Sequence, residues 1–247
     1  MEGALTQRRA VVLLHAGVAD RRMWKPLIPK LPPDREVIAI DMRGFGESVP
    51  PDQPFSHARD LVDLLDERGL ERVALVGASY GGRVALQVAS NWPERVRGLA
   101  LLGSATIGHD WSAGFREYDE AEGAAFEAGD IDAAVEMNVR TWVDAGRDPS
   151  EVDPEIRALV ADMQRRIFDL DNDVDSDAEP LAIEPERITA PTVIGVGELD
   201  LPDFHVIAAD LAERIPNVVA HETIKGAAHL VALERPAETA RLIAPVV

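Results

Sequence analysis

A serine flanked by glycines stands where an apolar run passes into a helical pattern. The apolar run is Val73–Val76, the Gly-x-Ser-x-Gly turn covers Gly77–Gly81, and helical spacing continues over Tyr80–Asn91. Such a turn holds its serine in a strained backbone conformation, so small neighbours are needed to avoid clashes. It also places the hydroxyl at a helix N-terminus, where the helix dipole favours developing negative charge. The pattern predicts that Ser79 is a nucleophile.

A serine nucleophile needs a base, and the base needs a carboxylate to orient it. His229 stands in a loop after the last strand-like run and before the last helical pattern, and Asp200 follows the preceding strand-like run. The chain order serine, acid, histidine suits a nucleophile on this kind of turn. We therefore predict His229 as the base and Asp200 as the acid, with Glu198 and Asp203 as rival acids.

Two further glycine-rich segments follow early strand-like runs. The first contains His15 and Gly17, and the backbone N–H of Gly17, paired with that of Tyr80, would form an oxyanion hole. His15 itself is predicted to be a buried structural histidine. The second segment is predicted to be a structural loop held by hydrogen bonds between Asp41 and Arg43.

The elements that must position these residues alternate between short apolar runs and helical patterns, which is typical of an α/β fold with a mostly parallel sheet flanked by helices. The predicted strands are Val11–Leu14, Val37–Ile40, Val73–Val76, Leu99–Leu102, Val193–Val196 and Val218–His221. The predicted helices are Ser56–Arg68, Tyr80–Asn91, Phe204–Ile215 and Pro236–Ile243, and Asn91-Trp92-Pro93 ends the second of them.

Residues 109–187 differ from the rest of the chain because strand-like runs are absent. We predict three helices there, near Gly114–Glu127, Ile131–Val143 and Pro154–Leu170, with Gly129-Asp130 as a turn and N-cap and Asp171–Glu179 as an acidic loop. The segment is interpreted as an inserted helical cap, and residues 1–108 and 188–247 as the core domain. A few extra surface helices are the alternative.

Aromatic side chains in the predicted cap are candidates for a substrate pocket. Trp111 and Trp142 are the preferred residues, with Phe115 and Phe168 as further candidates. Packing within the cap is the competing interpretation for all four, because aromatic residues in helices commonly serve that purpose.

Composition excludes several classes of function. The formal net charge is -19, and residues 109–187 hold 23 acidic and 7 basic residues, which opposes nucleic acid and anionic membranes as partners. The absence of cysteine excludes disulfides and thiolate chemistry. No apolar stretch approaches the length of a membrane span. We expect a cytoplasmic protein with a small-molecule substrate and without a metal or cofactor, and the oligomeric state is left open.

Together these motifs resemble the α/β-hydrolase family. The resemblance rests on His15-Ala-Gly17, Asp41-x-Arg-Gly-x-Gly-x-Ser48, the Ser79 turn, Gly197-x-x-Asp200 and the His229 loop, and it covers nearly the whole chain. It implies a twisted sheet with a helical cap over the pocket, and it assigns Ser79, Asp200 and His229 as a catalytic triad with Gly17 and Tyr80 as oxyanion donors.

The chain departs from the family pattern in two places. The family usually has a pair of strands before the first one here, for which the N-terminus leaves no room, so this pair is expected to be missing or shortened. Ala16 also stands where the family more often has glycine. Neither departure affects the predicted triad.

The resemblance implies hydrolysis of a small carboxylic ester or related acyl compound through an acyl-enzyme. Serine at position 79 argues against the relatives that use aspartate, the epoxide hydrolases and haloalkane dehalogenases. An enol-lactonase or C–C bond hydrolase is the alternative, and an anionic lactone would require an arginine in the cap, with Arg140, Arg165 and Arg166 as candidates. A binding protein with an idle triad is a further alternative, because the fold does not determine the function.

Overall fold

A computed structural model of the chain describes residues 9–49, 54–170 and 181–247. The described sheet consists of six strands in the order β2-β1-β3-β4-β5-β6, and every neighbouring pair is parallel. The strands are β1 Ala10–Leu14, β2 Glu36–Ile40, β3 Val73–Ala78, β4 Val96–Leu102, β5 Thr192–Gly197 and β6 Val218–Ile224. All six predicted strands are confirmed. The predicted loss of an N-terminal strand pair concerns residues 1–8, which lie outside the described residues.

Eight helices are present in the described ranges. They are α1 His57–Glu67, α2 Tyr80–Asn91, α3 Ala113–Glu127, α4 Ile131–Val139, α5 Pro154–Asp169, α6 Pro202–Arg214, α7 Val231–Glu234 and α8 Pro236–Ile243. Helices α2 and α8 have the predicted bounds. The side chain of Asp130 accepts a hydrogen bond from the N–H of Ala133 at 3.1 Å, so the predicted N-cap of α4 is also confirmed. The predicted loop Asp171–Glu179 lies outside the described residues.

The central strands are apolar on both sides because each face of the sheet is covered by helices. Alternate residues of β1 show this, since Val12 and Leu14 pack in a cluster with residues of α1, α2 and α6, whereas Val11 and Leu13 pack in a second cluster with residues of α7 and α8. All five residues of β1 are fully buried. The edge strand β6 alternates between exposed and partly buried residues, as a strand with one covered face does.

The strand order reverses between β1 and β3, because the chain runs outward to β2 and then returns to the other side of β1. In open parallel sheets, ligands bind beyond the carboxyl ends of the strands near such a reversal. The predicted site residues all follow strand ends, Gly17 after β1, Ser79 after β3, Asp200 after β5 and His229 after β6.

Helices α3, α4 and α5 lie between β4 and β5 in the chain, where the cap is predicted. Helix α4 ends at Val139, earlier than predicted, and continues as a π-helical turn over Arg140–Asp144. The turn ends at Ala145, whose φ of 49° lies in the left-handed region. No helix in the described ranges is long and apolar enough to span a membrane.

Candidate active site

Ser79 occupies the sharp turn between β3 and α2. Its backbone has φ 50° and ψ -114°, and Ser79 and Ala145 are the two non-glycine residues with positive φ in the described ranges. Its N–H donates to the carbonyl of Leu102 at 3.0 Å, and its carbonyl accepts from the N–H of Ala105 at 3.0 Å. Such strain costs about 1–3 kcal/mol and persists only where surrounding contacts impose it. The turn therefore has the geometry that the sequence predicts for a nucleophile.

The glycines around Ser79 permit close packing of backbone. A Cβ atom on Gly77 would overlap the backbone of Gly81, and a Cβ atom on Gly81 would overlap the carbonyl groups of Leu14 and His15. The N–H of Gly81 donates to the carbonyl of His15 at 3.0 Å. Helix α2 thus begins directly against the end of β1.

Asp200 and His229 form a buried hydrogen-bonded pair. Nδ1 of His229 lies 2.9 Å from each carboxylate oxygen of Asp200, and Oδ1 also accepts from the N–H of Leu201 at 2.8 Å. The two loops are joined by backbone as well, because the N–H of Leu199 donates to the carbonyl of Ala227 at 2.9 Å. With Nδ1 donating to the carboxylate, Nε2 of the neutral imidazole is an acceptor, as a general base requires.

The two rival carboxylates contact other groups. Glu198 accepts from the N–H of Gly226 at 2.8 Å. Asp203 accepts from the hydroxyl and the N–H of Ser112, both at 2.7 Å, and from Nε2 of His109 at 3.1 Å. Burial opposes ionisation of Asp203, but these hydrogen bonds outweigh burial and lower its pKa. Asp203 therefore ties the segment before α3 to the start of α6.

Gly103 connects the nucleophile turn with the histidine, a role that the sequence analysis missed. The preceding residue, Leu102, holds the N–H of Ser79. Gly103 has φ 50°, and a Cβ atom there would lie 3.1 Å from Oδ2 of Asp200 and 3.3 Å from Nδ1 of His229. The hydrogen-bonded pair of Asp200 and His229 thus packs directly on the end of β4, whose Leu102 accepts from the N–H of Ser79. A glycine directly after an apolar strand was the available signal.

The predicted oxyanion loop packs against Tyr80. A Cβ atom on Gly17 would lie 3.5 Å from the Cβ of Tyr80, so the two backbone segments are adjacent. His15 is fully buried, donates from Nδ1 to the carbonyl of Ala16 at 2.8 Å and accepts at Nε2 from the N–H of Met42 at 3.1 Å. Burial lowers the pKa of His15, which matches a neutral ring in a structural role. The predicted burial of His15 is confirmed.

The loop after β2 differs from the prediction in its hydrogen bonds. Asp41 accepts from the N–H groups of Arg21 at 2.8 Å and Glu47 at 3.1 Å, whereas Arg43 forms an ion pair with Asp60 at 2.7 Å. The predicted Asp41–Arg43 network is therefore wrong. The long Arg43 side chain reaches α1, whereas the short Asp41 side chain serves the backbone of its own and the neighbouring loop.

Aromatic rings cover the imidazole of His229. The ring centroids of Phe204 and Trp142 lie 4.4 and 4.6 Å from that of His229. Trp111 lies 5.8 Å from Phe204 and stacks on Phe115 at 4.1 Å. Both predicted pocket tryptophans therefore belong to this aromatic cluster, which also includes Phe204, a residue that the sequence analysis did not single out.

A chain of hydrogen bonds from α3 and α4 holds Trp142. Its indole N–H donates to the hydroxyl of Tyr118 at 2.8 Å, and that hydroxyl donates to Oδ1 of Asn138 at 2.6 Å. Burial raises the pKa of Tyr118, so the phenol stays protonated and can donate. Phe168 lies elsewhere, stacked on Phe126 with centroids 5.2 Å apart.

The three arginines that are candidates for binding an anionic substrate contact other groups of the protein. Arg140 pairs with Glu136 at 2.8 Å and is 70% exposed. Arg165 pairs with Asp132, and Arg166 donates to the carbonyl of Gly46. Within the described ranges there is no group of three or more histidine, aspartate or glutamate residues that could hold a metal ion.

Comparison with known proteins places these features in context. A model described as the alpha/beta hydrolase family matches residues 11–242. The chain is 43% identical over 96 residues to 2-hydroxymuconate semialdehyde hydrolase from Pseudomonas sp. (strain CF600), which covers 37% of this chain and 34% of that protein. The chain spans about a third of the length of the curated relatives it matches.

Two solved structures are similar over nearly the full chain. Est816, described as an N-acyl homoserine lactone degrading enzyme, is 28% identical with a TM-score of 0.74 and covers 100% of this chain and 94% of its own. The enol-lactonase from Burkholderia xenovorans LB400 is 21% identical with a TM-score of 0.77 and covers 99% and 94%. At 21% identity, the similarity to the enol-lactonase concerns the fold alone.

Proposed function

This chain belongs to the alpha/beta hydrolase family, and we propose that it is a serine hydrolase that cleaves a small carboxylic ester or lactone. The observation that carries the proposal is the buried pair of Asp200 and His229, with Nδ1 held 2.9 Å from both carboxylate oxygens. The pair packs on Gly103, beside the strand end that holds Ser79.

In the first step, Ser79 Oγ attacks the substrate carbonyl while Nε2 of His229 takes the hydroxyl proton. The carbonyl oxygen becomes an oxyanion, which the backbone N–H groups of Gly17 and Tyr80 would stabilise. One such donor contributes about 10²–10³-fold in rate. His229 then gives its proton to the departing alkoxide, and the acyl group stays on Ser79.

In the second step, water replaces the alcohol. Nε2 of His229 takes a proton from the water, the resulting hydroxide attacks the acyl carbon, and the proton returns to Ser79 Oγ as the carboxylic acid leaves. Asp200 remains ionised throughout and stabilises the imidazolium. In a lactone the alcohol and the acid are parts of one molecule, so the same steps open the ring.

Two relatives support different substrates. The lactone-degrading enzyme is similar over the whole chain and supports an ester or lactone. The name of the 43% identical relative supports C–C bond hydrolysis as the second candidate. The engagement of Arg140, Arg165 and Arg166 with other partners disfavours an anionic substrate and therefore favours a neutral ester or lactone.

Labelling with a fluorophosphonate probe tests the nucleophile. The substrate class is tested by measuring the turnover of p-nitrophenyl esters of increasing chain length, simple lactones and a vinylogous diketone. We expect the wild type to be labelled and to hydrolyse esters or lactones. Ser79→Ala should lose labelling and at least about 10³-fold in turnover. Ser104→Ala is the matched control, because Ser104 is buried nearby and donates to the carbonyl of Ala105.

Three outcomes would contradict the proposal. Labelled or fully active Ser79→Ala would exclude Ser79 as nucleophile. Turnover of the diketone alone would favour the C–C hydrolase. A wild-type protein that is neither labelled nor active on any of these substrates would favour a binding protein.

A further inference from the structure

Glu234 is a buried carboxylate that the proposed mechanism does not use. It lies at the end of α7, and its side chain is 4% exposed. Oε1 accepts from the N–H of Ala228 at 3.0 Å, and Oε2 pairs with Arg147 at 2.9 Å. Because a buried charge is costly unless it is paired, both contacts stabilise the ionised group. Ala228 directly precedes the catalytic histidine of the proposal.

The last residue of α7 and the residue after it both contact the histidine loop. Glu234 binds the N–H of Ala228, and Arg235 donates from Nη2 to the carbonyl of Gly226 at 3.1 Å. The loop from Gly226 to His229 has no regular structure of its own, so its backbone position depends on these side chains together with the contacts of Glu198 and Leu199. A catalytic group must be held within about 0.5 Å of its productive position.

Arg147 extends this anchor into the predicted cap. Its guanidinium donates to the carbonyl of Asp144 at 2.9 Å and to the carbonyl of Val143. These are the last two residues of the π-helical turn, which ends at Ala145 with a positive φ. Arg147 thus holds the strained end of the turn against Glu234. The turn also carries Trp142.

Trp142 contacts the imidazole ring of His229 directly. The indole is 5% exposed, and its centroid lies 4.6 Å from that of His229. The histidine is therefore fixed through its loop by Glu234 and through its ring by Trp142, and Arg147 connects the two contacts.

We propose that Glu234 is a positioning residue that couples the cap to His229, directly through Ala228 and indirectly through Arg147 and Trp142. The inference rests on the proposed function, because it assigns a role in placing the base of that mechanism. Glu234 touches no reacting atom. Its removal should lower kcat with little effect on KM.

Three variants separate the two contacts. Glu234→Gln keeps an oxygen for Ala228 but loses the ion pair, Arg147→Met loses the ion pair from the cap side, and Glu234→Ala loses both. We expect kcat to fall about tenfold in the first two and about 10²-fold in the third, with KM within about threefold, as for small displacements of a catalytic group. Arg241→Met is the control, since Arg241 is exposed and pairs with Glu222.

Kcat is expressed per active site titrated with the fluorophosphonate, so that loss of folded protein is separated from loss of rate. Glu234→Gln with Arg147→Met in one chain should be no slower than the slower single variant, because both remove the same ion pair. Hydrogen exchange supplies a readout that needs no activity. We expect faster exchange at residues 226–230 in Glu234→Ala, and at 140–146 in Arg147→Met.

Unchanged kcat per titrated site in Glu234→Ala, or unchanged exchange in the histidine loop, would overturn the proposal. Wild-type kcat in Arg147→Met would overturn the coupling to the cap. Failure of the proposed function would differ, because the wild type would then lack turnover while exchange still reported on the contacts of Glu234.

Discussion

Replacement of Asp200 by asparagine should disable the proposed base without removing a side chain. The N–H of Leu201 donates to Oδ1 at 2.8 Å, so the amide oxygen of the new residue must occupy that position. Its NH₂ group then replaces Oδ2, 2.9 Å from Nδ1 of His229. Nδ1 also lies 2.9 Å from the position of the amide oxygen, so one acceptor remains, but the NH₂ donor now favours the tautomer whose proton is on Nε2. In that tautomer Nε2 cannot accept the proton of Ser79.

The expected loss in kcat is about 10⁴-fold, the size found when the triad aspartate of a serine protease becomes an amide. It corresponds to about 5.4 kcal/mol in the activation free energy, since each factor of ten is about 1.36 kcal/mol. The fold should remain, because the amide has the volume of the carboxylate and keeps the bond to Leu201. Steady-state kinetics and thermal unfolding measure the two effects separately.

The rival acids provide matched controls. Glu198→Gln keeps an acceptor for the N–H of Gly226, and Asp203→Asn changes the contacts with Ser112 and His109. Neither substitution alters a group that is hydrogen-bonded to the ring of His229. Both should stay within about tenfold of wild-type kcat. An Asp200→Asn variant within tenfold of wild type, or a larger loss in either control, would refute the assignment of Asp200.

Two further substitutions test the surroundings of Ser79. Burial, aided by nearby cationic side chains, lowers the pKa of His57 from 6.5 to about 3, so the unfolded chain takes up a proton first as the pH falls below 6.5. The free energy of unfolding should drop by about 2 kcal/mol between pH 8 and pH 5 from this group alone. In urea unfolding, His57→Phe should not show this part of the drop in the free energy of unfolding. Equal drops in the variant and the wild type would contradict the prediction. Gly81→Ala should lower both stability and kcat, because its Cβ would overlap the carbonyl groups of Leu14 and His15, whereas Gly123→Ala, with open space around it in α3, should be about 0.5–1 kcal/mol more stable. Equal kcat in the two glycine variants would show that the close approach of Gly81 to the end of β1 does not affect kcat.

The acidic charge of residues 109–187 and the aromatic side chains around His229 both bear on the proposed substrate. Residues 109–187 hold 23 acidic and 7 basic residues, and the side chains that cover His229 are aromatic. A negative field disfavours anionic substrates and favours release of a carboxylate product. The proposed hydrolysis of a neutral ester therefore suits the charge of residues 109–187 better than binding of an anionic lactone does.

Local patterns by themselves determined the order and type of the elements. The apolar runs became six parallel strands, and α2 ended at Asn91, because proline at position 93 prevents continuation of the helix. The Ser79 turn was also visible locally, since glycines next to a serine between a strand and a helix leave few other conformations. Short-range sterics and periodicity are properties of neighbouring residues, and for this reason a single sequence suffices to predict them.

Tertiary structure decided which distant side chains meet. Local sequence left Asp200, Glu198 and Asp203 open as partners of His229, and the hydrogen bonds between the loops after β5 and β6 decided among them. Tertiary packing also brought Phe204 against the ring of His229 and Arg43 into an ion pair with Asp60. Each of these contacts joins segments that are far apart in the chain, and the distance between such segments depends on the packing of the whole sheet and its helices, which no local pattern contains.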